Sequence, residues 1–335
     1  LIVFSSWTGS KAAPYNEKCH YKKGLVDFMI QIVLSTLLSV IVPLSIPVIA
    51  GFLLGKFMKL ETKPLSTLYL YFLSPAMILD TLLKAQLSLH DVAQTAAFSI
   101  LNLLLLWGIA QIAGKMFKLS APETAGLTLI STLTNSANYG LPLILLAFGQ
   151  LGLDKASVYV VIQIILVNTL GVYFAARSEF SVQSAVKSVF SLPAIYAALL
   201  ALGLRMLDWH LPSGIQAGVS MIAAAYSPVV LAILGTQMAY VKIFKLEPSI
   251  KKASYAGLII RLLLSPLAAC LAMLILGISG LLFSVLFILA SMPVAVNAVI
   301  LAEKFNASPK LVSTCILWST LASFLILPIL IMIVA

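Results

Sequence analysis

The chain has 335 residues, of which 61% are hydrophobic and only 10% charged, with a mean hydropathy of +1.08 and a net charge of +10. Soluble domains carry roughly 25% charged residues, so a water-soluble domain is excluded and the fold class is an all-α polytopic membrane protein. The basic excess then reports sidedness in the lipid bilayer, and no nucleic acid is needed as a partner.

The first 28 residues are polar and mixed after a four-residue apolar start, too short for a signal-peptide core. Met29 opens the first long apolar run, so native translation is expected to begin there, with 1–28 a polar tail that is disordered or non-native. A span needs about 20 apolar residues. Ten are read along the chain, at 30–57, 66–83, 92–116, 124–148, 157–176, 189–204, 215–240, 253–276, 281–302 and 311–334. The first and seventh are long enough to tilt or kink. The loops are short, which leaves no room for a soluble domain.

Thirteen of the 21 Lys and Arg fall in or beside loops that follow odd-numbered spans, including Lys242, Lys245, Lys251 and Lys252. The opposite side carries Lys84, Lys155 and Arg205, besides the lysines of the tail. The positive-inside rule makes this a multi-pass protein of the cell membrane with both termini outside.

Ten spans divide into a first five-helix repeat, 29–180, and a second, 181–335. SIPVIAGFLLGK from Ser45 echoes SLPAIYAALLALG from Ser191, and Pro75 in FLSP matches Pro228 in AYSP. Each half has an odd number of spans, so the second is inserted upside down, as a 5+5 inverted repeat.

The stretch TNSANYGLPL, 134–143, lies inside the fourth span. Pro142 removes a backbone donor and Gly140 weakens the helix before it, so the span is expected to break near 138–142. The ninth span repeats this chemistry in SMPVAVN, 291–297, with Pro293 and Asn297. Setting Ala147 against Ala302 puts Asn138 opposite Pro293 and Pro142 opposite Asn297. Two proline-broken spans at repeat-related positions point to crossing helices that form a transporter site. Half-helix N-termini carry partial positive charge and free N–H groups, which suit a carboxylate. Asn side chains both donate and accept, so they hold an anion without a buried charge. The candidate substrate site is therefore Asn135, Asn138, Tyr139, Gly140, Pro142, Pro293 and Asn297, for a small organic anion.

Four further residues are candidates for coupling or support. Arg261, two turns into the eighth span, reads either as a counter-charge for the anion or as a snorkelling end residue. Asp80 and Asp91 read as proton-coupling carboxylates or as solvated span ends, and Gln163 is a lone polar residue in the fifth span that suits a helix–helix hydrogen bond. Gly51 and Gly55 form a small-residue packing face.

No ATP-binding loop, zinc-protease motif or serine-hydrolase elbow is present, so the protein reads as a non-enzyme without cofactor or metal. His20, His90 and His210 fall in loops or the tail, and Cys19, Cys270 and Cys315 lie too far apart for a disulfide or metal pattern.

NSANYGLPL from Asn135, MPVAVNAVILAEKF from Met292 and PKLVST from Pro309 resemble the auxin efflux carrier family, which includes the plant PIN carriers and many bacterial permeases. FLSP and RLLLSP, from Arg261, add weaker support, and the likeness runs from about Ile30 onward. The resemblance implies a ten-span fold with two crossing helices, a scaffold part and a mobile part, elevator-type transport of an organic anion, and often a homodimer. It implies that Asn135 and the crossover prolines line the substrate site, with Gln163 and Asp91 in a polar support site. The long central loop of many plant members is missing at 177–189, which fits a bacterial-type member.

The expected function is secondary transport of a small carboxylate by alternating access around the crossover. A proton is the expected coupling ion. A sodium-coupled carrier of the bile-acid type is disfavoured, because the spans offer Asn and Gln but no mid-depth acid. A membrane sensor that binds an anion without moving it is the alternative from another class.

Overall fold

The computed structural model describes residues 34–35, 37–85, 88–171, 173–174, 190–240 and 248–334. The tail 1–28 and the loop cations Arg177, Lys187, Lys242 and Lys245 lie outside the described residues. In chain order the helices are α1 (Leu37–Met58), α2 (Thr62–Lys84), α3 (Leu89–Met116), α4 (Ala121–Thr132), α5 (Ser136–Gly171), α6 (Pro193–Met206), α7 (Ser213–Tyr240), α8 (Ile250–Ile275), α9 (Gly280–Ala290), α10 (Ala298–Lys304) and α11 (Pro309–Val334). Among the described residues seven, α1, α2, α3, α5, α7, α8 and α11, are long and apolar enough to cross a membrane. Only helices satisfy every backbone group of a lone segment in lipid, and these apolar runs fold accordingly.

Local sequence sets several ends. At α4, Ser120 and Glu123 form a reciprocal cap: the Glu123 carboxylate accepts from the Ser120 N–H at 2.8 Å, and the Ser120 hydroxyl accepts from the Glu123 N–H at 3.4 Å. Pro122 sits in that first turn, where its missing N–H costs nothing. Lys59 and Lys118, both at φ 53°, follow the last turns of α1 and α3, and Leu119 N–H closes back onto the Gly114 carbonyl at 2.9 Å.

Two features differ from the sequence reading, and one agrees with it. The fourth predicted span breaks at 133–135, about a turn earlier than the prolines imply. The chain at 136–140 instead takes a wide π turn, in which Leu141 N–H reaches back to the Ser136 carbonyl. Pro142 follows without breaking the helix. The next carbonyl, of Ala137, finds the Tyr226 hydroxyl at 3.3 Å, so the missing proline donor leaves no unsatisfied group there. The ninth predicted span stops at Ala290 and resumes at Ala298, with Pro293 in the gap, at the stretch 291–297 that the sequence marks. The second difference is that the expected loop 149–156 is helical apart from a sharp break at Gly149, whose φ of 67° favours glycine.

α1 and α7 approach each other closely. A Cβ on Gly51 would lie 1.9 Å from the Ala232 carbonyl oxygen, and one on Gly235 would lie 1.9 Å from the Val48 carbonyl oxygen. Thr236 donates to the Gly51 carbonyl at 3.0 Å across the same contact. Gly55 meets Thr236 and Ala239, so the expected small-residue face is the one used. α2 packs on α6 and on the first half of α7, while α3, α4, α5, α8, α9 and α11 pack on one another. The start of α5 lies against α7, so the candidate site stands where the two groups of helices meet.

Candidate functional site

The two breaks hold each other. Thr134 and Val294 form an antiparallel bridge. Asn135 N–H donates to the Pro293 carbonyl at 2.9 Å, and Ala295 N–H donates to the Leu133 carbonyl at 3.0 Å. Val294 N–H donates to the Ser319 hydroxyl of α11 at 3.1 Å. Extended backbone away from water needs such partners, and each break supplies the other's.

Four helix ends converge there. α4 and α9 end at the breaks, and α5 and α10 begin from them. Asn135 and Asn297 occupy the residue just before each outgoing helix, and neither side chain caps it. Both amides are therefore left for another partner.

Beside the breaks is a cavity of about 300 Å³. Asn135, Asn138 and Asn297 line it, with Thr134, Ser136 and Gln163 from the same group of helices and Ser66, Tyr69, Ser74 and Gln237 from α2 and α7. Among the described residues no charged side chain lines it. Three of its buried amide atoms have no hydrogen-bond partner: Asn135 Nδ2, Asn138 Oδ1 and Gln237 Oε1. A buried polar atom without a partner costs on the order of 1–3 kcal/mol. Three such atoms around one cavity make it the candidate site.

The other sequence candidates lie elsewhere. Tyr139 is buried with its ring 6.0 Å from that of Phe324, turned into the core. Gly140 lets Leu289 approach, since a Cβ there would meet its side chain at 2.7 Å. Pro142 is buried in α5, and Pro293 acts through its carbonyl. Asp91 pairs with Lys155 at 2.8 Å, joining the start of α3 to α5. Asp80 pairs with Lys84 at 2.7 Å and accepts from Ser220 at 2.6 Å.

Arg261 neither snorkels nor faces the cavity. It is fully buried, and its guanidinium donates to the Ser131 carbonyl at 3.1 Å, to the Ala290 carbonyl and to the Ser265 hydroxyl. Both carbonyls belong to the last turns of the incoming helices α4 and α9.

Sequence reasoning missed Gln237, Tyr69, Ser66 and Ser74, which reach the cavity from the opposite group of helices. Gln237 lies inside an apolar span, and that isolated polar residue was the available signal. It also missed Asp154, which falls between two expected spans but is 3% exposed within α5 and accepts from Gln150 at 3.0 Å.

Many apolar helices, two mutually paired helix breaks and a polar cavity beside them describe a multi-pass membrane protein with a candidate internal site. The chain belongs to the membrane transport protein family, which matches residues 33–189 and 177–331. An uncharacterized transporter of Methanothermobacter thermautotrophicus is 30% identical over 258 residues, covering 76% of this chain and 83% of the relative. An uncharacterized transporter of Methanocaldococcus jannaschii is 24% identical over 277 residues, covering 80% and 88%. Auxin efflux carrier component 3a of Oryza sativa subsp. japonica is 26% identical over 137 residues, covering 38% of this chain and 21% of the carrier. The auxin efflux carrier resemblance read from the motifs is thus borne out, and the protein is a membrane transporter.

Proposed function

We propose that this transporter moves a small organic anion, a carboxylate, by alternating access around the paired breaks of α4–α5 and α9–α10. The observation that carries the reading is the Asn135 Nδ2 donor, buried without a partner beside a cavity that no charged side chain lines among the described residues, while the unpartnered Asn138 Oδ1 and Gln237 Oε1 are acceptors that suit a hydroxyl of the same molecule. The first N–H groups of α5, which have no partner within the helix, and the Asn135 amide supply donors and partial positive charge. A carboxylate gains charge-assisted hydrogen bonds from such donors without an ion pair that would trap it.

The reading includes a ten-span, 5+5 inverted repeat with its two broken spans crossing. Helix pairing supports it. If the first span is equivalent to the sixth and the second to the seventh, the α1–α7 contact and the α2–α6 contact are images of each other. One group of helices then serves as scaffold and the other carries the site past it, in the cell membrane with both termini outside. A homodimer through the scaffold and a proton as coupling ion complete the proposal.

The test is uptake into proteoliposomes of labelled malate, malonate, 2-oxoglutarate and an indole acid, with and without an imposed pH gradient. Flux of one acid that rises with the gradient is the expected result. Saturable binding without flux of any acid would move the protein to the sensor class.

A further inference from the structure

We infer that Arg261 is a built-in cation that holds the two incoming helix ends together, in the place where a cation-coupled carrier would need a bound metal ion. α4 and α9 both end at the crossover, and the C-terminal end of each helix carries partial negative charge and orphan carbonyls. In transporters with broken helices, such carbonyls are where coupling cations bind. Here the Ser131 and Ala290 carbonyls both accept from the Arg261 guanidinium, and Ser265 joins by donating to the Ala290 carbonyl at 2.9 Å. Among the described residues Arg261 forms no salt bridge, so these helix ends and the Ser265 hydroxyl are its neutralising surroundings. Arginine suits the role because its planar fork reaches two carbonyls on different helices and stays charged when buried.

The guanidinium is tethered to α8 and cannot leave with the substrate. The crossover is therefore complete without sodium, and coupling falls to another ion. This consequence for coupling rests on the crossover reading of the function, but the helix-clamp role does not, and it is tested without transport.

Thermal unfolding of the purified full chain in detergent reads it directly, at an ionic strength of about 0.1 M. The wild type should melt at the same temperature in sodium and in choline chloride. Arg261→Ala should melt lower, and low-millimolar guanidinium, far below denaturing concentrations, should raise its melting temperature but not that of the wild type. Choline, too large for the gap, should not. If Arg261→Ala yields no folded protein, Arg261→Gln replaces it. That variant keeps two donors without the charge, and it should be less stable than the wild type and stabilised by sodium. A wild type stabilised by sodium over choline would overturn the inference. So would folded Arg261→Ala that ignores guanidinium, or Arg261→Gln as stable as the wild type. If no acid is transported but the melting pattern holds, only the transport reading fails.

Discussion

Asn135 donates its backbone N–H to the carbonyl of Pro293 at 2.9 Å, although the two residues are far apart in sequence. With the return bond from Ala295 to Leu133, it makes each broken helix the solvent of the other. Because the backbone is satisfied in this way, the asparagine side chains are not needed to satisfy it.

Asn135→Ala should separate stability from function. The Nδ2 atom is buried without a partner, so removing it should leave the melting temperature equal to or above that of the wild type. Uptake of the transported acid should fall by about 10- to 100-fold, the value of one charge-assisted hydrogen bond of roughly 1.5–3 kcal/mol. Thermal unfolding and initial uptake rates on the same preparation check both halves. A lower melting temperature with normal uptake would make Asn135 a structural residue.

Gln237→Glu tests the sign of the substrate. Its amide reaches the cavity from α7, so a carboxylate there faces the bound acid at short range. Uptake should be lost, while Gln237→Leu should weaken it less. Concentration-dependent uptake compares the two, and an unchanged or improved rate in Gln237→Glu would argue for a neutral or cationic substrate.

Gly51→Ala should be severely destabilising, since its Cβ would lie 1.9 Å from a main-chain oxygen that no rotamer change can move. Overpacking of this kind costs about 1–3 kcal/mol or more. Gly203→Ala in α6 has nothing within 4 Å of the new Cβ and should be neutral or stabilising by up to about 1 kcal/mol. Paired melting curves decide, and equal behaviour of the two variants would contradict the close α1–α7 contact.

Asp91→Asn should remove the ion pair with Lys155 at modest cost, about 0–1 kcal/mol, because both side chains are partly exposed. Its dependence on a pH gradient should match the wild type. A gradient-blind variant would return Asp91 to a coupling role.

Much of this was legible in the sequence, and the limits were physical. Composition and span length exposed the membrane class, and TNSANYGLPL and SMPVAVN marked both helix breaks. The proline signal placed the first break a turn late, because a wide turn and the Tyr226 hydroxyl let the helix absorb Pro142. Polar periodicity could not tell Asn138, which lines the cavity, from neighbouring Tyr139, which turns into the core. Arg261 was noticed, but its acceptors Ser131 and Ala290 are backbone carbonyls, and carbonyls leave no trace in side-chain composition. Gln237 belongs to the cavity only because α7 packs against the start of α5, a long-range contact.

The most direct measurement is protection of a cysteine placed at Asn297, in a background with Cys19, Cys270 and Cys315 replaced by Ala. Asn297 is exposed to the cavity, so a small aqueous thiol reagent should modify Asn297→Cys. The transported acid should slow that modification with the same half-saturating concentration as uptake. Reaction at an unchanged rate under saturating acid would place the substrate elsewhere and contradict the account.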